Sequence, residues 1–209
     1  MFTVALTGGI ASGKSTVCRM LEEKGAAVLK SDDLAREVVR KGEPAWREIV
    51  GHFGASVLDE EGEIDRGKLA EIVFRDAGER DFLNRVTHPR IFQLMAQRLR
   101  ELEENPPDRG VVVLDIPLLV EAGAGDLFQL TVVVDTEPEL QLRRLVELRG
   151  MQEEEALARI RAQVSREERL RHADLVIDNR GTLEDLRAEV ERAWREILER
   201  AGKVAGSEG

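Results

Sequence analysis

Within its first sixteen residues the chain runs from a short apolar stretch, Phe2 to Leu6, into Gly8-Gly9-Ile10-Ala11-Ser12-Gly13-Lys14-Ser15. That is the pattern G-x-x-x-x-G-K-[ST], a loop that only a strand-to-helix junction accommodates. Gly8, Gly9 and Gly13 permit backbone angles and close approaches that a side chain would block. The N–H groups of Gly8 to Thr16 then converge on an anion at the positive end of the helix beginning near Lys14. Lys14 is placed to reach the β- and γ-phosphates of a nucleoside triphosphate, and the Ser15 hydroxyl to ligate Mg²⁺. The motif therefore predicts an ATP-type site and a parallel α/β sheet with the loop at its carboxyl edge.

The rest of the sequence alternates accordingly. Ala26 to Leu29 reads as a second strand, ending at Lys30-Ser31-Asp32-Asp33, where a carboxylate lies beside the ligand crevice of such a sheet. Val111-Val-Val-Leu-Asp115 and Leu130 to Val134 are continuous apolar runs, the mark of strands buried on both faces. Leu175 to Ile177 is a last short strand, and Thr182 caps a final amphipathic helix with Leu186, Val190, Trp194 and Ile197 on one face. A polar tail, Ala201 to Gly209, is expected to fray. Between Gly42 and Asn105 the periodicity is helical: Trp46, Ile49, Val50 and Phe53 form one stripe, Ile91, Leu94, Met95 and Leu99 another, and Pro89 reads as a first-turn proline after His88.

These elements predict a three-layer α/β fold with a parallel sheet of about five strands in a single domain. A nucleotide core (1–32, 110–148 and 172–201) carries an inserted helical, acceptor-binding segment (33–109) and an Arg-rich lid (149–171). Arg144, Arg149 and Arg159 are the arginines expected to fold over a triphosphate, and the lid is expected to pack loosely without nucleotide.

Composition narrows the function. The formal net charge of −10 (31 Lys+Arg against 41 Asp+Glu) argues against a non-specific nucleic-acid binder. No apolar run approaches the ~18 residues of a membrane helix, and Met1-Phe2 leads directly into the first strand, so a cytoplasmic protein is expected. The lone Cys18 fits a packed core thiol. No guanine-reading Asn-Lys-x-Asp is present, which argues against a switch GTPase, and the chain is short for a motor-type ATPase. A small kinase remains.

The ordered series Ala5 to Thr16, Ser31-Asp32 with Ala35-Arg36-Glu-Val-Val39, Ile64-Asp65-Arg66, Leu83-Asn84 with His88-Pro89, Pro117-Leu-Leu119 with Glu121, Gln163, and Ala173 to Gly181 resembles the dephospho-CoA kinase family nearly end to end. The resemblance implies ATP-dependent phosphorylation of the ribose 3′-hydroxyl of dephospho-CoA, with Mg²⁺. It implies catalytic roles for Asp32, Lys14 and Arg144, acceptor contacts from Asp32, Arg36, His88, Pro117 and Leu118, and metal organisation by Ser15 and Asp32. Arg149, Asn179 and Gly181 join the loop residues around the nucleotide, and the assembly is expected to be a monomer or small homo-oligomer. Two positions depart from the family pattern: Lys30 stands where a first carboxylate is usual, and Leu148 where an arginine is usual, with Arg149 one residue on. A helix cap is the competing role for Asp32. A related small-molecule or nucleoside monophosphate kinase, or a nucleotide binder with weakened catalysis, stays open at this point.

Overall fold

The computed structural model describes Met1–Ser207 and divides into two compact units, Met1–Lys30 with the chain from Asn105 onward, and Ser31–Glu104. The first unit is built on a fully parallel sheet of β1 (Phe2–Gly8), β2 (Ala27–Lys30), β3 (Val111–Asp115), β4 (Leu130–Asp135) and β5 (Leu175–Asp178), in the order β2-β3-β1-β4-β5. The central strand β1 pairs with β3 from Phe2 opposite Val111 to Leu6 opposite Asp115, and with β4 from Val4 opposite Leu130 to Gly8 opposite Val134. Every residue of β3 and β4 is buried, which is why those runs lack polar alternation. Chain reversals between parallel neighbours require crossovers, and α1 (Lys14–Glu23), α6 (Pro138–Arg149) and α9 (Leu183–Ser207) supply helices for them or close the unit.

One face of the sheet packs Val4, Leu6, Val113, Val132 and Ile177 against Val17 and Leu21 of α1 and Leu186, Val190, Trp194 and Ile197 of α9. Cys18 lies in this cluster with no exposed surface, and burial, then the Asp115 carboxylate, pushes its thiol up to about 12. It is the packed thiol the sequence predicts. Thr182 caps α9 as expected: its hydroxyl accepts from the Asp185 N–H (3.2 Å) while the Asp185 carboxylate accepts from the Thr182 N–H (2.8 Å). The expected frayed tail is corrected, because α9 continues to Ser207, with Ala201 still packed against the core of this unit. Glu208 and Gly209 of that tail lie outside the described residues.

The second unit is helical: α2 (Ser31–Glu37), α3 (Pro44–Phe53), α4 (Arg66–Arg75) and α5 (Ala77–Glu104). Its core is Ala45, Ile49, Val57, Leu69 and Val86, bordered by half-buried Phe53, Ile72 and Phe82. Asp65 caps α4, accepting from the N–H groups of Gly67 (2.9 Å) and Lys68 (3.1 Å). Pro89 does not begin a helix. It sits inside the 28-residue α5. Proline removes one backbone donor and crowds the preceding turn, a cost confined to one bond of a long helix, and the Val86 carbonyl in that turn accepts from an Arg90 guanidinium N–H (2.6 Å).

Candidate nucleotide site

The strands β1, β3, β4 and β5 end at Gly8, Asp115, Asp135 and Asp178, so three carboxylates and the loop stand at one edge of the sheet. The loop makes its turn with Ala11 at φ 57° and Gly13 at φ 92°; Ala11 is the one non-glycine in the left-handed region among the described residues. Ser12 N–H returns to the Gly9 carbonyl (3.0 Å), and Thr16 and Val17 close onto Gly13 to start α1. Side chains from distant elements hold the loop's outward carbonyls. Arg144 on α6 donates to the carbonyls of Ala11 (3.2 Å) and Asn179 (3.0 Å), and Asn179 Nδ2 donates to the Ser12 carbonyl (2.6 Å). A β-carbon at Gly13 would collide with that Asn179 amide, so glycine is required there twice over, by angle and by space.

At the other end of the loop, Ile10 N–H donates to Gln163 Oε1 (2.7 Å). The amide of Gln141 stands where a β-carbon of Gly9 would go, and an Arg169 guanidinium nitrogen lies 3.2 Å from that same point. Arg169 belongs to α8 (Arg166–Arg171), the second of two helices in the charged segment, the first being α7 (Glu153–Arg161). Arg166 grips Asp135 with two parallel bonds of 2.8 and 2.6 Å, which raises its pKa above the ordinary arginine value. The looseness expected for the lid therefore does not extend to α8. Arg159 is more than half exposed and paired with Glu155 one turn away, the ordinary surface pair.

Lys14 forms an ion pair with Asp115, both largely buried. The Ser12 hydroxyl, 1% exposed, is the one fully buried side-chain polar atom without a partner among the described residues. Burial holds the guanidinium groups of Arg144 and Arg169 below their ordinary pKa. Desolvated cations, an orphaned hydroxyl and first-turn amides with no intrahelical partner form a cradle suited to a polyanion. Mg²⁺ fits the same donor set in its usual manner, with one or two protein oxygens and the rest from phosphate and water. Ser15 is exposed at the head of α1, and Asp115 lies beside Lys14. No group of three or more His, Cys, Asp or Glu able to hold a metal by itself occurs among the described residues.

Other residues singled out in the sequence fall as follows. A cavity of about 300 Å³ is lined by Ala11, Gly13, Leu148, Arg149, Asn179 and Gly181 among others. Leu148 is 77% exposed there. The Pro117 carbonyl accepts from Thr7 Oγ1 (3.3 Å), and Leu118 is half exposed beyond β3. Asp32, Arg36 and His88 belong to the helical unit. Asp32 stands exposed in the first turn of α2, not ahead of it, and no backbone N–H among the described residues donates to its carboxylate, which removes the capping role. Arg36 pairs with Asp33 (3.8 Å), and His88 is exposed midway along α5. Sequence reasoning missed Asp135, Arg166, Arg169 and Gln141. For Asp135 a signal existed: Leu130 to Val134 is an apolar run ending in a carboxylate, as Val111 to Asp115 is.

A parallel sheet whose central strand passes through this loop into α1, with a buried Lys14 and arginines around it, is the architecture of a P-loop phosphotransferase. The sequence profile for dephospho-CoA kinase matches residues 2–185. The dephospho-CoA kinase of Streptomyces avermitilis is 46% identical over 208 residues, covering all of both chains. Among solved structures, TT1252 from Thermus thermophilus superposes with a TM-score of 0.80 at 36% identity, covering 95% of this chain and 96% of that one. Dephospho-CoA kinase from Campylobacter jejuni superposes at 0.71 and 29%, covering 94% and 97%. The chain belongs to the dephospho-CoA kinase family. It is an ATP-dependent kinase that phosphorylates the ribose 3′-hydroxyl of dephospho-CoA, the final step of coenzyme A biosynthesis.

Proposed function

We propose that the enzyme performs this transfer with Mg²⁺, holding the triphosphate in the loop Gly8–Thr16 and directing the acceptor hydroxyl with Asp32. The observation that carries the reading is the buried Lys14 held by Asp115 on a loop whose Ser12 hydroxyl is buried and unpartnered among the described residues. Lys14 and Arg144 neutralise charge on the phosphates; Ile10, Ala11 and Ser12 shape the loop, and Arg149, Asn179 and Gly181 border the nucleoside at the 300 Å³ cavity. Ser15 and Asp32 are the residues that would hold Mg²⁺, which would supply charge neutralisation of phosphate oxygens.

Phosphoryl transfer is chiefly positioning plus electrostatics. The acceptor oxygen bonds to the γ-phosphorus as the bond to the β–γ bridging oxygen breaks. The electron pair leaves with ADP, and the hydroxyl proton passes to the Asp32 carboxylate. Arg36, His88, Pro117 and Leu118 bind the acceptor, and the helical unit is the acceptor-binding segment. The protein acts in the cytoplasm as a monomer or small homo-oligomer, without a nucleic-acid partner; no described helix is long and apolar enough to cross a membrane.

The test is turnover with ATP·Mg²⁺ of dephospho-CoA against a panel of nucleoside monophosphates, for the wild type and for Asp32→Asn. Asp32→Asn preserves shape and removes charge, and turnover falls on the order of 10²-fold with the fold intact. Near-normal activity of that variant would remove Asp32 from the chemistry. Equal turnover of a nucleoside monophosphate would change the acceptor.

A further inference from the structure

Arg169 is an unusual arginine. It is 6% exposed, it forms no ion pair among the described residues, and its guanidinium donates one hydrogen bond, to the Val164 carbonyl (3.0 Å). The two carboxylates whose fields it feels are engaged elsewhere: Asp135 by Arg166, and Glu121 by the Val164 N–H (3.1 Å). A buried guanidinium without a counter-ion is unfavourable in a protein that stays as it is. Five N–H donors with one bond made is an arrangement waiting for an anion.

Its position says which anion. The cavity assigned to the nucleoside opens at the Ala11–Gly13 end of the loop, where Arg144 and Asn179 already occupy the outward carbonyls. Arg169 stands at the opposite end, against Gly9, beside the Gln141 amide. A nucleotide laid along the loop with its base in the cavity presents its terminal phosphate there. Arg166, one helical turn earlier on the same face of α8, anchors that helix to the end of β4 through its two bonds to Asp135.

We propose that Arg169 binds the γ-phosphate of ATP and carries part of the charge that gathers on its oxygens during transfer, with Arg166 and Asp135 as the positioning pair that holds it at Gly9. The proposal rests on the nucleotide reading above. Gly9 must then be glycine because a side chain would fill the space between Arg169, Gln141 and the phosphate.

The experiment compares ATP and ADP binding by titration calorimetry, turnover with dephospho-CoA, and nucleotide-free thermal stability. The proteins are the wild type, Arg169→Met, Arg169→Lys, Asp135→Asn and Arg171→Met, an exposed arginine on the same helix paired with Glu168. Arg169→Met is expected to weaken ATP about tenfold or more while leaving ADP within about twofold, and to lower kcat on the order of 10²-fold. Its nucleotide-free melting temperature is unchanged or higher, because an unpaired buried charge has gone. Arg169→Lys recovers part of both losses, Asp135→Asn shifts ATP in the same direction by less, and Arg171→Met changes nothing.

Equal weakening of ATP and ADP with a lower melting temperature makes Arg169 a structural residue and overturns the proposal. So does unchanged ATP affinity. If Arg169→Met does not fold, Arg169→Lys decides: wild-type discrimination between ATP and ADP, with wild-type turnover, excludes a guanidinium fork on the γ-phosphate. A wild-type protein that binds neither nucleotide overturns the nucleotide reading itself, and this proposal with it.

Discussion

The two units of this chain organise their side chains by different rules. In the sheet unit β3 and β4 are buried on both faces, and Leu6, Leu114, Val132 and Ile177 have essentially no exposed surface. Polar groups at its edge are fixed by several bonds each, as where Arg144 and Asn179 converge on consecutive carbonyls of the loop. In the helical unit a five-residue core is ringed by half-buried aromatics, and ion pairs such as Arg98–Glu37 and Arg90–Glu48 lie on its surface. Surface pairs of that kind contribute about 0–1 kcal/mol each. The contrast teaches where rigidity is invested: phosphate geometry tolerates little error, so the loop is over-determined, while the helical unit keeps most of its charged groups solvated.

The comparison breaks most visibly at Lys14. Lys14→Ala removes the ammonium from the cradle and is expected to lower turnover by about 10³-fold, or ~4 kcal/mol of transition-state stabilisation, with circular dichroism unchanged in either unit. Unchanged turnover would detach the loop from the chemistry. Next in size is a pair of truncations. Leu6→Ala, at the centre of the sheet, is expected to destabilise by about 4 kcal/mol, and Leu69→Ala in the helical unit by about 2.5 kcal/mol, read from denaturant midpoints. Equal losses would mean that the two cores are equally dense. The smallest effect is electrostatic. The Lys68 and Gly67 N–H groups hold the Asp65 carboxyl below its ordinary pKa. A lowered folded-state pKa contributes stability that is present above the unfolded value of about 4 and is lost as pH falls through the folded one. Asp65→Asn keeps the cap but not the titration, so the acid-side slope of the helical unit's melting temperature should flatten below about pH 4. An identical slope would locate acid sensitivity in the sheet unit, where Arg180 holds Asp178 low in the same sense.

What was legible in the sequence follows the range of the interactions involved. The loop, β1 and α1 are local, so Gly8 to Thr16 could be read directly. The strands were legible as apolar runs, most clearly β3 and β4, where burial on both faces removes polar alternation. Pro89 was misread because proline's rule concerns the one bond lost at its own N–H, whereas the rest of the 28-residue helix keeps its ladder and the neighbouring Val86 carbonyl gains an Arg90 donor that shows only in three dimensions. Among the lid arginines, sequence favoured Arg159, which pairs locally with Glu155, and passed over Arg166 and Arg169. Those two owe their significance to Asp135 and Gly9, more than 30 and more than 150 positions away in the chain. Charge density is visible in a sequence; the partner of each charge is not.

The pairing of Phe2 with Val111 sets an order of events during synthesis. The central strand is made more than a hundred residues ahead of β3, the earlier of its two neighbours, which at ~5–20 residues per second is a delay of roughly 5–20 s. Throughout that interval an apolar segment rich in Val, Ala and Leu is present without its sheet, and every residue of the Ser31–Glu104 unit is made in the meantime. The helical contacts are close in sequence and form early; the sheet's are distant and form late. The phosphate loop is thus carried on an unpaired strand while about half of this sequence is made, and an unpaired apolar strand is the part of the fold most open to wrong pairing in that interval.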